Sequence, residues 1–204
     1  MPDKKTLIII GRQFGSGGKA VAQELGKRLG IAVYDNELIA KSAEASGLGK
    51  ECFIRSDEKR SLFSMPAFFS PERFSDIGGS YVRDHETFGI QAEVIRDIAA
   101  RESAIFVGRC ADYILRDMPT LSVFISAPSG ERAERVSARC GISVKEAQGL
   151  MEKKDRTRQT YYNYFTFREW GVASNYDLCI NSGLFGIEGT ADLIINAAQK
   201  KGLL

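Results

Sequence analysis

The run Leu7-Ile8-Ile9-Ile10-Gly11-Arg12-Gln13-Phe14-Gly15-Ser16-Gly17-Gly18-Lys19-Ala20, followed by Val21-Ala22-Gln23-Glu24-Leu25, constrains this chain more than any other stretch. The unbroken apolar, mostly β-branched segment Leu7 to Ile10 suits a parallel strand covered on both faces. Val21, Leu25 and Leu29 at i, i+4 and i+8, with Lys27 and Arg28 in the last turn and Gly30 beyond, predict a helix stopped by glycine. Between them lies a glycine-rich turn. A strand passing through such a turn into a helix gathers backbone N–H groups at the positive end of the helix dipole, and missing Cβ atoms let an anion come close. Residues 15–20 are therefore a candidate anion cradle, the alternative being a tight turn with no ligand.

The phosphate-loop pattern G-x-x-x-x-G-K-[ST] supplies a lysine to the β- and γ-phosphates and a hydroxyl to a metal. With Gly18-Lys19 as its Gly-Lys pair, Gln13 stands where the first glycine belongs. With Gly15-Ser16-Gly17 laid on Gly-x-Gly instead, Gly18 takes the lysine's place and Lys19 the hydroxyl's. Neither register provides a Ser or Thr in the hydroxyl slot.

The chain has 204 residues, enough for one well-buried domain over 1–204 with room for a small insertion. A net charge of +2 argues against a general nucleic-acid or membrane surface. Cys52, Cys110, Cys140 and Cys179 form no C-x-x-C pair, and no secretory or membrane segment is evident, so a reduced cytoplasmic protein is expected.

After the first helix, Ile31 to Tyr34 reads as a second strand, with Asp35 at its carboxyl end. Ligands of open α/β sheets collect at that end. Asp35 is a candidate acceptor contact, an N-cap for the helix starting near Glu37, or both, since a carboxylate has two oxygens. Residues 36–81 read as a helical insertion: Leu38, Ile39 and Ala43 suit a helix ending near Gly47, and Pro71 to Gly79 a loop. Phe53, Leu62, Phe63, Phe68 and Phe69 read as local core in preference to a base-stacking platform. Asp84 is a candidate cap for a long helix carrying Phe88, Ile90, Val94, Ile95 and Ile98.

Strand pattern resumes at Ala104 to Val107, followed at once by Gly108-Arg109-Cys110-Ala111-Asp112. An arginine at a strand's carboxyl end suits bidentate capture of phosphate. The alternative is an ion pair with an acidic residue of the insertion. Asp112 opens the next helix, with Pro119 ending it.

Leu121 to Ile125 is a further strand, with Ser129 as candidate cap for a helix over 131–139. Ser143-Val144-Lys145-Glu146 is a capping box, with Val144, Ala147 and Met151 on one face. Lys153-Lys154-Asp155-Arg156-Thr157-Arg158 then concentrates cations, either as a group folding over phosphates or as a solvated face. The aromatic block Thr160 to Phe165 would pack and fix the helix carrying that group. Residues 177–183 read as a fifth strand and its turn, with 181–183 bordering a purine ring or forming a plain turn. Ile187, Ala191, Ile194, Ile195 and Ala198 mark a final amphipathic helix.

Gly-Arg-Gln-Phe-Gly-Ser-Gly-Gly-Lys at 11–19, Tyr34-Asp35, Phe106 to Leu115 and Ser174 to Leu178 together resemble the cytidylate kinase-like family of P-loop proteins across nearly the whole chain. The resemblance implies an α/β, three-layer P-loop kinase fold with a parallel five-stranded sheet ordered 2-3-1-4-5. It also implies a helical acceptor-binding insertion and an arginine-rich lid over residues 153–170. The implied activity is phosphoryl transfer from ATP to a small acceptor such as CMP, with Mg2+ held mainly by phosphate oxygens and water. By position, Gly15, Ser16, Gly17, Gly18, Lys19 and Ala20 would hold the nucleotide, and Asp35, Arg109 and Asp112 the acceptor. Lys153, Arg156 and Arg158 would make the lid contacts, with Lys19, Arg156 and Arg158 as the catalytic cations. True cytidylate kinases have Asp-Gly-Arg-Asp where this chain has Val107-Gly108-Arg109-Cys110. A nucleotide-binding regulator with little turnover is the second reading, motivated by the missing lysine-hydroxyl pair. Phosphoryl transfer asks for placement and positive charge more than for covalent chemistry, so a phosphate acceptor needs no general base. For a hydroxyl acceptor Asp35 is the candidate base.

Overall fold

The computed structural model describes residues 5–46 and 81–204. Its architecture follows from the alternation along β1 (Leu7–Arg12), where Leu7 to Ile10 are all buried. Leu7 and Ile9 pack with Ile39, Ile95, Ile98 and Phe106 on one face of the sheet. Ile8 and Ile10 pack with Val21, Leu25, Val123, Ile125 and Ile194 on the other. A strand apolar on both faces requires helices above and below, which makes three layers.

One helical layer contains α1 (Gly18–Leu29) and α7 (Ser182–Lys200); the other contains α2 (Asn36–Ser46), α3 (Tyr81–Arg101) and α4 (Ala111–Ile114). Between them lie β2 (Ala32–Tyr34), β3 (Ala104–Val107), β4 (Leu121–Ser126) and β5 (Leu178–Asn181) with β1. The sheet is parallel and ordered β2-β3-β1-β4-β5, as expected, with Val33 beside Ile105, Ile9 beside Phe106, Ile10 beside Val123 and Ile125 beside Ile180. The helices α5 (Ser129–Cys140) and α6 (Val144–Thr166) pack on one another through Ala133, Val136, Ala147 and Met151. The adjacent carboxyl ends of β1 and β3 open into the site.

Local signals fared unevenly. Gly17 and Gly30 cap α1 in left-handed conformation, and Ser143 with Glu146 forms the capping box of α6. Ser129 is not a cap; Pro128 takes that place and Ser129 is already helical. The long helix starts at Tyr81, ahead of Asp84. The helix containing Asp112 stops at Ile114, well short of Pro119, because Leu115 has left helical geometry. Residues 153–166 of the expected lid are the second half of α6, and Phe167 closes it in left-handed conformation. Tyr162 and Phe165 of the aromatic block are buried against Cys110, which fixes that half of the helix. Most of the expected 36–81 insertion, including Phe53, Leu62, Phe63, Phe68, Phe69 and the loop 71–79, lies outside the described residues.

Candidate active site

Gly108, Arg109 and Cys110 turn the chain away from β3 with three successive positive φ angles of 78°, 61° and 55°. For Arg109 and Cys110 that conformation costs on the order of 1–2 kcal/mol each, and it persists only where the surroundings over-determine it. Both side chains are buried here. The Arg109 guanidinium donates to Asn36 Oδ1 at the start of α2 and lies 5.6 Å from the centre of the Tyr161 ring. The turn thereby presents an arginine to a cavity of about 250 Å³ that Asp112 also lines.

Arg12, the last residue of β1, reaches the same cavity from below. A Cβ on Gly108 would overlap its guanidinium, and one on Gly18 would come within 2.7 Å of its Cβ. Those two glycines make room for it. Arg158, on α6, donates from Nη1 to the Arg12 carbonyl at 3.1 Å and lines the cavity as well. Burial, then the charges of Arg158 and Arg109, pulls Arg12 down to about 9. Burial likewise brings Arg158 down to about 10, against the pull of Asp155. Both remain cations at neutral pH, but costly ones. Lys154, one helical turn before Arg158, adds a fourth basic side chain to the wall.

Among the described residues, Asp112 is the carboxylate that lines this cavity. Burial raises its pKa, and the Tyr162 hydroxyl donates to its Oδ2 at 2.7 Å. Tyr162 is in turn raised by burial and by that carboxylate.

The glycine loop lies beside the cavity. Gly15 and Gly17 have φ of 82° and 81°, as the turn demands. Their Cβ positions, however, are filled by the protein itself: the Arg132 carbonyl and Val136 at Gly15, Ile187 at Gly17. Glycine is required there for packing, which corrects the expectation that the missing Cβ atoms admit an anion. The main-chain donors are a separate matter. The N–H groups of Gly18, Lys19 and Ala20 in the first turn of α1 have no acceptor among the described residues. Ser16 is buried, its hydroxyl bound to the Gln13 carbonyl and its own carbonyl accepting from Ser182.

Lys19 does not enter the cavity. Its side chain is 63% exposed, and its ammonium meets Asp35 Oδ2 at 2.8 Å. Asp35 Oδ1 accepts from the Glu37 and Leu38 amides at 3.1 and 3.3 Å, so Asp35 is a cap and an ion-pair partner together.

The cation cluster is divided by helical phase. Lys153 and Arg156 are exposed on the outer side of α6, while Lys154 and Arg158 face the cavity. Of the lid cations expected from sequence, Arg158 alone lines it, since a 3.6-residue period separates neighbours in a charge run. Sequence reading missed Arg12, Lys154 and the pair Arg132–Asp155. The signal for Lys154 was available: Ala147, Met151 and Thr157 mark the buried side of α6.

Among the described residues no group of three or more His, Cys, Asp or Glu side chains is placed to hold a metal ion, and no helix is long and apolar enough to cross a membrane.

A family model described as the cytidylate kinase-like family matches residues 7–184. The cytidylate kinase of Pyrococcus horikoshii is 24% identical over 196 residues, covering 95% of this chain and 88% of the relative. That of Thermoplasma volcanium is 27% identical over 192 residues, covering 93% and 89%. Among solved structures, an uncharacterized protein from Eubacterium ventriosum superposes with a TM-score of 0.73 at 29% identity, covering 96% of this chain and 99% of that one. A shikimate kinase from Bacteroides thetaiotaomicron, at TM-score 0.53 and 12% identity over 95% and 98% of the two chains, shares the fold.

Proposed function

Because the chain belongs to the cytidylate kinase-like family, we propose that it transfers the terminal phosphoryl group of ATP to a small phosphorylated acceptor, with CMP the first substrate to test. The observation that carries this reading is the convergence of Arg12, Arg109 and Arg158 on one cavity beside the first-turn amides of α1, which have no acceptor among the described residues. Helix N-terminal amides suit the phosphates of a donor. Guanidiniums suit the acceptor phosphate and the charge spread over the transferring group. In the transfer, an oxygen of the acceptor phosphate bonds to the γ-phosphorus, the bond to the β,γ-bridging oxygen breaks, and ADP leaves with that electron pair. An ionised phosphate has no proton to lose, so no base is needed. Asp35, tied to Lys19 and two amides, is poorly placed to act as one.

Mg2+ would enter with the nucleotide and neutralise charge between its phosphates. The residues present fit it only weakly: Asp35 is engaged through both oxygens, and Ala20 or Lys19 stands in the hydroxyl slot. Phosphate oxygens and water would be its main ligands.

The test is ADP release by the full chain with ATP and a panel of nucleoside monophosphates, nucleosides and sugars. Release stimulated by a phosphorylated acceptor supports the reading. Tight ATP binding with no stimulation by any acceptor favours the regulator, a reading that the Lys19–Asp35 pair supports.

A further inference from the structure

We propose that Arg12 is the central anion-binding residue of this site, gripping phosphoryl oxygens between the glycine loop and Arg109 where a phosphate loop would ordinarily use its lysine. The proposal rests on the phosphotransfer reading for the identity of the anion, but the anion site itself can be tested separately.

The Arg12 side chain runs from Gly18, at the start of the first-turn amides, to Gly108, which precedes Arg109. It therefore spans the seam between the donor and acceptor sides. Gly108 is left-handed at φ 78° and leaves the guanidinium just enough space, so the backbone of a second strand is shaped around this side chain.

Arg132 has Asp155 and the Phe14 carbonyl, Arg158 has the Arg12 carbonyl, and Arg109 has Asn36. The Arg12 guanidinium, with five N–H donors, has no hydrogen-bond acceptor and no ion-pair partner among the described residues. Asp35 and Asp155 act on it only through distant charge. A half-buried guanidinium beside two others is repelled by both, and an oxyanion offers the planar, bidentate partner that it lacks. The loop lysine, by contrast, is satisfied outside the cavity by Asp35.

The experiment compares the full-length wild type with Arg12→Gln and Arg12→Lys, using inorganic pyrophosphate as probe in thermal unfolding and ATP with the best acceptor in turnover. Without anion, Arg12→Gln should melt at or above the wild type, because repulsion with Arg109 and Arg158 is relieved. Pyrophosphate should raise the wild-type Tm and leave that of Arg12→Gln unmoved. Turnover of Arg12→Gln should fall roughly 100-fold, the loss of two charge-assisted hydrogen bonds. Arg12→Lys should keep part of the Tm shift and lose at least about tenfold in turnover, since an ammonium lacks the fork. A pyrophosphate shift retained in Arg12→Gln, or absent from the wild type, overturns the assignment. If Arg12→Gln does not fold, a shift and turnover of Arg12→Lys equal to the wild type overturn it. An Arg12-dependent shift in a wild type that turns over no acceptor upholds this site and removes the kinase reading instead.

Discussion

Asp155 and Arg132 hold the main chain of Phe14 between them. Asp155 Oδ1 accepts the Phe14 amide at 2.7 Å, Arg132 Nε donates to the Phe14 carbonyl at 2.9 Å, and the two side chains meet at 2.6 Å. One acidic residue in the cation cluster of α6 thus fastens the glycine loop to both α5 and α6. The side chains of Arg132 and Asp155 are only 9% and 17% exposed. Removing one partner of such a pair leaves the other charge uncompensated, so Asp155→Ala should lower stability by roughly 3–5 kcal/mol. It should also raise the KM for ATP, because the Phe14 peptide loses its anchor. Denaturant unfolding and initial-rate kinetics check both, and unchanged values would mean that the clamp is not formed in solution.

Gly108→Ala tests the space made for Arg12. The added methyl meets a left-handed backbone and the guanidinium together, so stability should fall by about 1–3 kcal/mol. The second component disappears when the guanidinium is shortened. Gly108→Ala with Arg12→Gln should therefore cost less than the sum of the single changes, as urea unfolding of the four proteins would reveal. Simple additivity would place Arg12 elsewhere.

The sheet was legible because each strand is a short apolar run bounded by glycine, proline or a charged residue, and β1, buried on both faces, reads as continuous. The capping box at Ser143 was equally plain, since its bonds are local. The site was harder. Arg12 sits between a strand and a glycine loop, where a lone arginine gives no periodic signal, and its role depends on Gly108, which is distant in sequence and adjacent in space. Arg109 could be placed because the residue after a strand and a glycine has few directions open to it. Lys153 and Arg156 could not be told from Lys154 in the sequence because charge density has no phase; the buried Met151 and Thr157 do.

Arg109→Ala should raise the KM for the acceptor roughly 10- to 100-fold, the loss of one charge-assisted bond or a bidentate pair, while leaving ATP affinity within about twofold. Calorimetric titration with ATP, set beside acceptor kinetics, separates the two sides of the cavity. An unchanged acceptor KM would remove Arg109 from acceptor recognition.

Asp112→Asn sets stability against use. Burial raises the Asp112 pKa despite the Tyr162 hydrogen bond, so the ionised form is disfavoured in the folded protein. That penalty is fully present above the folded pKa and vanishes below the unfolded value of about 3.9. Asp112→Asn keeps an acceptor for the Tyr162 hydroxyl and should melt above the wild type at pH 8, with the advantage shrinking as pH falls toward 4. Acceptor turnover should drop, since Asp112 lines the cavity. A variant that is less stable at pH 8 would contradict the assigned protonation cost.

Lys19→Ala separates the exposed lysine from the half-buried Arg12. Burial alone would raise Asp35, but the bond from Lys19 and the amides of Leu38 and Glu37 outweigh it and hold the carboxylate below its ordinary value. A lowered folded pKa means that Asp35 contributes stability above the unfolded value near 3.9, and that this is lost as pH falls through the folded pKa. Without Lys19 the folded pKa moves up, so acid unfolding should begin at a higher pH. At neutral pH the change should be about 0–1 kcal/mol, because Lys19 is mostly solvated and the pair is screened. Turnover carries the sharper distinction. If Arg12 anchors the phosphoryl group, Lys19→Ala should retain turnover within about tenfold of wild type; a loss as large as that of Arg12→Gln would mean that the ammonium leaves Asp35 for the nucleotide, and that the Gly18-Lys19 pair acts as a phosphate-loop lysine after all.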